Sequence, residues 1–342
     1  MKELVIDGRF LIQSLTGVQR FAVEIIKQFA LMDDLHVIIA MPADAKPFAL
    51  NAKNIEFVRV GKHGGTIWEQ FELPRFCRKK KLPLLCTGNI APVFYKSHVV
   101  LHDVFYCDLG QFSQKQSWVR KTKLMVRSYI YRNRNIFTVS GFSRDRIRHF
   151  YPRLKKAPIV LGNGYEHVYE WKEEPIENLP KNFYLSVGSV SPHKNFKYIL
   201  HLAKNNPDIN FVVAGKKNTD YDAFLEQNHI TNCFFTGYAS DGQLLWLYKN
   251  CEGFVLPSLY EGFGIPPLEA VAAGCRKIFL SDIPVFHEIY DDSAIYFAPE
   301  DYENTVSLTH EKMSEERAKA LLAKYSWKAF AEKIVNTIFD KS

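Results

Sequence analysis

Residues 256–270 read LPSLYEGFGIPPLEA, and this stretch decides the fold. The apolar run just before it reads as a strand that ends at Pro257. A turn holding Gly262 and Gly264 follows. Pro266 and Pro267 then open a helix, since a helix tolerates proline only in its first turn. Glu261 therefore falls in the loop and Glu269 about one turn into the helix, both near the carboxyl edge of the strand. A glycine-containing loop that feeds a helix N-terminus offers amides and a positive dipole end, which suits a diphosphate. Two carboxylates would repel a bare diphosphate. They make sense against neutral hydroxyls, and a nucleotide-diphosphate sugar carries such hydroxyls on both sides of its diphosphate. On spacing alone the plainer reading is preferred, with Glu261 capping the helix and Glu269 solvated.

Outward from this stretch the chain alternates strands and helices. Strands are expected at 4–7, 37–40, 55–60, 82–86, 99–101, 136–139 and 158–161, then again at 183–187, 210–214, 233–235, 253–256, 277–280 and 294–297. Apolar strands joined by helices imply a parallel sheet covered on both faces. The fold class is α/β, with two doubly wound Rossmann-like domains facing across a cleft and ligands at the carboxyl ends of the strands. Residues 1–165 form the expected N-terminal domain, 166–181 an acidic, proline-bearing linker, and 182–324 the nucleotide-sugar domain. Residues 325–342 are expected to form a helix packing back on the N-terminal domain, with Trp327, Phe330, Ile334 and Ile338 on one face.

With 342 residues, 47% of them hydrophobic, there is apolar material for two cores. No apolar run is long enough to span a membrane. The opening MKELVIDGRF is strand-like rather than a signal peptide. Six scattered cysteines without a CxxC pair fit reduced structural thiols and a cytoplasmic setting. A net charge of +7 suits phosphate-bearing ligands, and the absence of zinc-finger or RNA-binding signatures argues against nucleic acid.

The stretch PSLYEGFGIPPLEAVAAG resembles the retaining glycosyltransferases of family 4, which have the two-Rossmann-domain GT-B architecture. Their signature is two glutamates separated by seven residues, matched by Glu261 and Glu269. The resemblance implies that Glu261 contacts the donor sugar, Glu269 the ribose, and Gly262, Phe263 and Gly264 the diphosphate, and it reverses the preference drawn from spacing. In YLSVGSVSPHKNF it puts a basic residue on the diphosphate, which here is Lys194, in a loop that starts at Gly188 and begins a helix near Asn195. Many relatives also carry an arginine there, where Ser189 and His193 stand, so the second cation is left open. In FFTGYASDGQLLWLY it implies that Tyr238 and Ala239 hold the base through backbone groups, with Ser240 or Asp241 as helix cap.

In the first half, LTGVQRFAVEII resembles the loop that closes over the donor phosphates. Gly17 matches, while Gln19 stands for a common glycine. In VVLHDVFY a histidine at a strand edge is by itself more often structural; the resemblance implies His102 beside the reacting sugar, for positioning or proton handling, and Asp103 at the acceptor side. Ser140 and Ser143 read as helix caps. GTIWEQFELP and the GN-x-AP stretch at 88–92 are similar to bacterial mannosyltransferases of surface-polysaccharide assembly, which implies GDP-mannose as first donor and a UDP- or dTDP-sugar as alternative. The basic run 118–134 reads as a solvated surface helix or one lying on an anionic membrane, where a lipid-linked saccharide acceptor would be found. Asp220 and Asp222 read as helix-capping, and no metal or cofactor is expected. The resemblance implies a same-face substitution, with Glu261, Lys194 and His102 as the catalytic set. A sugar-nucleotide epimerase or a non-catalytic scaffold relative are the competing readings.

Overall fold

A computed structural model describes all of the chain except residues 15, 109–115, 189–190, 217–218 and 341–342. The chain divides into two compact units, Met1–Asn163 with Trp327–Ser342, and Gly164–Ser326.

The first unit holds strands β1 (Lys2–Asp7), β2 (Leu35–Met41), β3 (Ile55–Arg59), β4 (Leu84–Cys86), β5 (His98–Val100), β6 (Asn135–Thr138) and β7 (Ile159–Val160). They form one parallel sheet in the order β3-β2-β1-β4-β5-β6-β7. Leu4, Val5 and Ile6 are fully buried, as a strand covered by helices on both faces must be. The helix Gly17–Phe29 starts on a capping box between Thr16 and Gln19 and buries Phe21, Ile25, Ile26 and Phe29. Each such side chain contributes roughly 1.5–3 kcal/mol of hydrophobic stabilisation.

The helix Trp327–Phe339 is part of this unit. Trp327 meets Phe21 edge to face at 5.8 Å, and Lys333 Nζ donates to the Val160 carbonyl at 2.8 Å. Phe330 lies over Gly162, where a Cβ would come within 2.5 Å of its ring. Tyr325, expected to open this helix, instead belongs to the second unit. There it meets Phe263 edge to face at 5.2 Å and donates to the Ile289 carbonyl at 3.2 Å.

The second unit holds β8 (Tyr184–Val187), β9 (Phe211–Ala214), β10 (Cys233–Phe235), β11 (Gly253–Leu256), β12 (Ile278–Ser281) and β13 (Ile295–Phe297). Its parallel order is β10-β9-β8-β11-β12-β13. Phe196, Tyr198, Phe211, Val213, Val255 and Phe279 fill its core. In both units the strand order reverses beside the first strand, between β1 and β4 and between β8 and β11. Such reversals open crevices at the carboxyl ends of the strands, where ligands of open α/β sheets bind.

The stretch 166–181 differs from the linker expected of it. It starts as a 3-10 helix, Glu166–Glu170, that buries His167 and Val168 in the second unit. Beyond that helix, Glu174 N donates to the Gly242 carbonyl at 3.1 Å, and Ser240 Oγ donates to Glu174 Oε2 at 2.6 Å. Acidic composition concealed this packing because the buried residues are few and fall on no regular period.

Candidate functional site

The crevice between β8 and β11 brings together two loops far apart in sequence. After β8 the chain passes Gly188 into a single 3-10 turn, Pro192–Lys194. Asn195 then takes a left-handed conformation with φ 52°, held by its side chain. Its Nδ2 donates to the Pro299 carbonyl at 2.7 Å, and its Oδ1 accepts from Tyr302 Oη at 2.9 Å. The α-helix begins only at Lys197, two residues later than expected, because that left-handed residue interrupts it. Ser189 lies outside the described residues.

This turn aims Lys194 at the loop after β11. Lys194 Nζ donates to Glu261 Oε1 at 2.6 Å, and Ser258 Oγ donates to the same oxygen at 2.8 Å. Leu259 N donates to the His193 carbonyl at 2.7 Å and stitches the two loops together. The pair is partly buried, with side-chain exposures of 19% and 11%, so it is far less screened than a surface ion pair. Burial first, and then the Lys194 ammonium, pushes the pKa of His193 down to about 4. His193 is therefore neutral at neutral pH and is no second cation here.

The YEGFG turn is packed into the second unit. Gly262, Phe263 and Gly264 are all buried. Gly264 has φ +89° and a Cβ there would lie 2.6 Å from Phe286 Cε1, so only glycine fits. Tyr290 Oη donates to the Gly264 carbonyl. The helix Ile265–Ala272 that follows has Pro266 and Pro267 in its first turn and no side-chain cap. Phe263 packs against Tyr325 as part of the core.

Glu269 is 7% exposed, and its two oxygens already hold partners. His167 Nε2 donates to Oε1 at 2.9 Å and Tyr248 Oη to Oε2 at 2.8 Å. It is thus not solvated but the centre of a buried polar network that sequence reading missed. Gly237, with φ +73°, turns the chain after β10. Tyr238 beyond it is 72% exposed, while Ala239 is buried. Ser240, not Asp241, is the cap of helix Asp241–Asn250, in a capping box with Gln243. A cavity of about 510 Å³ lies along the edge strand β10 and residues 176–179, sharing only Tyr238 with the expected site. The carboxyl-edge crevice is the better site candidate, because the opposed charges meet there. Asp220 and Asp222 sit inside the first turn of helix Thr219–Gln227, where acids favour the dipole, rather than ahead of it.

In the first unit, His102 is buried and its Nε2 donates to the Thr87 carbonyl at 2.9 Å. Burial lowers its pKa to about 4, so it is a neutral side chain that fixes the Thr87 backbone. Asp103 Oδ1 accepts from Phe105 N at 3.1 Å and starts the short helix Phe105–Asp108. Gly17 is exposed at the first position of its helix. Gln19, the departure from the usual glycine, completes the capping box and donates from Nε2 to Gln13 Oε1 at 2.8 Å. Ser140 Oγ accepts from Ser143 N at 2.9 Å, so Ser140 is the cap. The basic stretch is the helix Gln116–Ile130, with Val119, Val126, Tyr129 and Ile130 buried. Trp118 and Leu124 on the same helix are 44% and 71% exposed. Among the described residues no helix is long and apolar enough to cross a membrane.

The family model of glycosyl transferases group 1 matches residues 168–338. The O-antigen chain mannosyltransferase RfbU of Salmonella typhimurium is 29% identical over 238 residues, which cover 67% of this chain and 64% of that protein. The serotype-specific mannosyltransferase WbdA of Escherichia coli is 25% identical over 211 residues, 56% of this chain and 26% of that protein. The matches thus span less than two thirds of either relative's own length. Sucrose-phosphate synthase from Thermosynechococcus elongatus superposes with a TM-score of 0.78 over 99% of this chain and 98% of that one, at 12% identity, which is a likeness of fold. The two parallel-sheet units are those of the GT-B architecture, and the chain belongs to the glycosyl transferases group 1 family.

Proposed function

We propose that this chain is a retaining, metal-independent hexosyltransferase of family 4. It moves a hexose, mannose from GDP-mannose first, to a lipid-linked saccharide acceptor in bacterial surface-polysaccharide assembly. The observation that carries this is the Lys194–Glu261 pair in the crevice between β8 and β11. Lys194 and Glu261 hold each other as an ion pair. A donor diphosphate takes Lys194 from Glu261, and the freed carboxylate accepts hydroxyls of the transferred sugar. Lys194 and the N-terminus of helix Ile265–Ala272 stabilise the leaving diphosphate, which is electrostatic preorganisation. Tyr238, exposed after β10, lies against the base, and Glu269 takes the ribose by sharing the lone pairs that His167 and Tyr248 leave. The mannosyltransferase names of the relatives support mannose as the sugar. The exposed Trp118 and Leu124 among the basic residues of helix Gln116–Ile130 support a cytoplasmic membrane face as the place of work.

The test is thermal unfolding with GDP, UDP and dTDP. A ligand at about 100 times its dissociation constant stabilises its binding unit by about 2.7 kcal/mol. A shift with GDP and mannose transfer from GDP-mannose in EDTA are expected. No response to any of the three nucleotides overturns the reading.

A further inference from the structure

The first unit has its own strand-order reversal, between β1 and β4, and a buried polar cluster sits at it. Asp7 ends β1 and Thr87 follows β4. Both are buried, at 6% and 1% exposure. Asp7 Oδ1 accepts from Arg9 N at 2.9 Å. The Arg9 guanidinium is paired with the fully buried Glu69. Glu69 sits on a π-helical turn, Trp68–Glu72, inside an otherwise α-helical run, and such turns recur at functional sites because they re-aim side chains.

These residues close a cavity of about 20 Å³, lined also by Gln13, Gly88 and Ile90, with room for one water-sized group. Thr87 is among the residues that line it, and its buried hydroxyl has no hydrogen-bond partner among the described residues. Its own carbonyl is fixed by His102 Nε2 at 2.9 Å. A buried hydroxyl without a partner is costly, and each such exception calls for a specific explanation. At Gly88 an added Cβ meets nothing within 4 Å, so the chain beside the cavity is open on that side.

We propose that this cavity is a subsite for one hydroxyl of the saccharide acceptor, with Thr87 Oγ1 and the Asp7 carboxylate as its partners and Glu69, through Arg9, as a positioning residue. The proposal rests on the glycosyl-transfer reading. The chemistry is that of a neutral sugar hydroxyl, which donates to the carboxylate and accepts from the threonine. An anionic acceptor group would face the Asp7 and Glu69 carboxylates, and the cavity is too small for a whole ring.

The experiment uses the full chain with methyl α-mannopyranoside, methyl α-glucopyranoside, methyl α-galactopyranoside and N-acetylglucosamine. Binding is read by saturation-transfer NMR, and folding by thermal unfolding of the same samples. The wild type is expected to bind at least one of these sugars. Thr87→Val weakens that binding roughly fivefold or more, the size of one lost hydrogen bond, and Gly88→Ala, which puts a methyl on the open side, weakens it as well. Thr87→Val leaves Tm unchanged or raised, because it removes an unpaired buried hydroxyl. A merely structural threonine gives a lower Tm and no binding change. Binding of none of the four sugars, or binding that both variants leave intact, overturns the subsite. A chain that answers to GDP but to no sugar keeps the transfer reading and loses this one. A chain whose sugar binding needs Thr87 but that answers to no nucleotide loses the transfer reading alone.

Discussion

His167 Nε2 donates to Glu269 Oε1 at 2.9 Å across 102 positions of sequence. It ties the stretch expected to be a linker to the second glutamate of the signature. Both groups are nearly inaccessible, with side-chain exposures of 0% and 9%. A donor lost from a buried carboxylate is costly, at about 1–3 kcal/mol and more where the acceptor is charged. His167→Ala should therefore lower the stability of the Gly164–Ser326 unit by about 2–3 kcal/mol. Denaturant unfolding followed in that unit checks it, and an unchanged midpoint would discount the network.

Lys194 and Glu261 separate by readout. Lys194→Ala should abolish the nucleotide-dependent Tm shift as well as transfer. Glu261→Gln should keep the nucleotide shift and lose transfer by roughly 10²–10³-fold, the scale of one lost electrostatic contact in a transition state. Steady-state transfer assays beside the thermal shifts decide this. Full activity in either variant removes the pair from the site.

Asp7 makes the first unit's stability fall as pH rises. Burial lifts its pKa from 3.8 to about 6 against the opposing pull of Arg9. The folded state then holds a proton that the unfolded state has already released. The favourable contribution is complete below the unfolded value and is lost as pH rises through about 6. Asp7→Asn removes the dependence, and at pH 7 it should be more stable than wild type by about 2–3 kcal/mol, a gain that vanishes below pH 4. Urea unfolding of both forms at several pH values checks sign and window. His102 works the other way, because burial lowers its pKa to about 4. Its share is intact above the unfolded value near 6.5 and is lost as pH falls toward 4, so His102→Asn should flatten the acid limb.

Gly264→Ala should be among the more damaging single changes in the second unit. The new Cβ comes within 2.6 Å of Phe286 Cε1, and φ is +89°. A left-handed conformation alone costs a non-glycine residue roughly 1–2 kcal/mol, before Phe286 has moved. Thermal unfolding is expected to show a loss of about 2–4 kcal/mol.

The sequence by itself determined the elements and their alternation, because periodicity and apolar runs are local properties. It also determined the turn at Gly262 and Gly264 and the helix opened by Pro266 and Pro267, because proline and glycine act on their own torsions. Partner choice was decided by the tertiary structure alone. Lys194 meets Glu261 because β8 and β11 are neighbours in the sheet though not in sequence. Glu269 reads the same as Glu261 along the chain, yet one is held by a lysine in a crevice and the other by His167 and Tyr248 in the core. His102 and Asp103 carried a motif whose local form suggested chemistry, and each makes a hydrogen bond to the backbone. The unpaired Thr87 hydroxyl has no signature in sequence at all, since being buried without a partner is a property of everything packed around it.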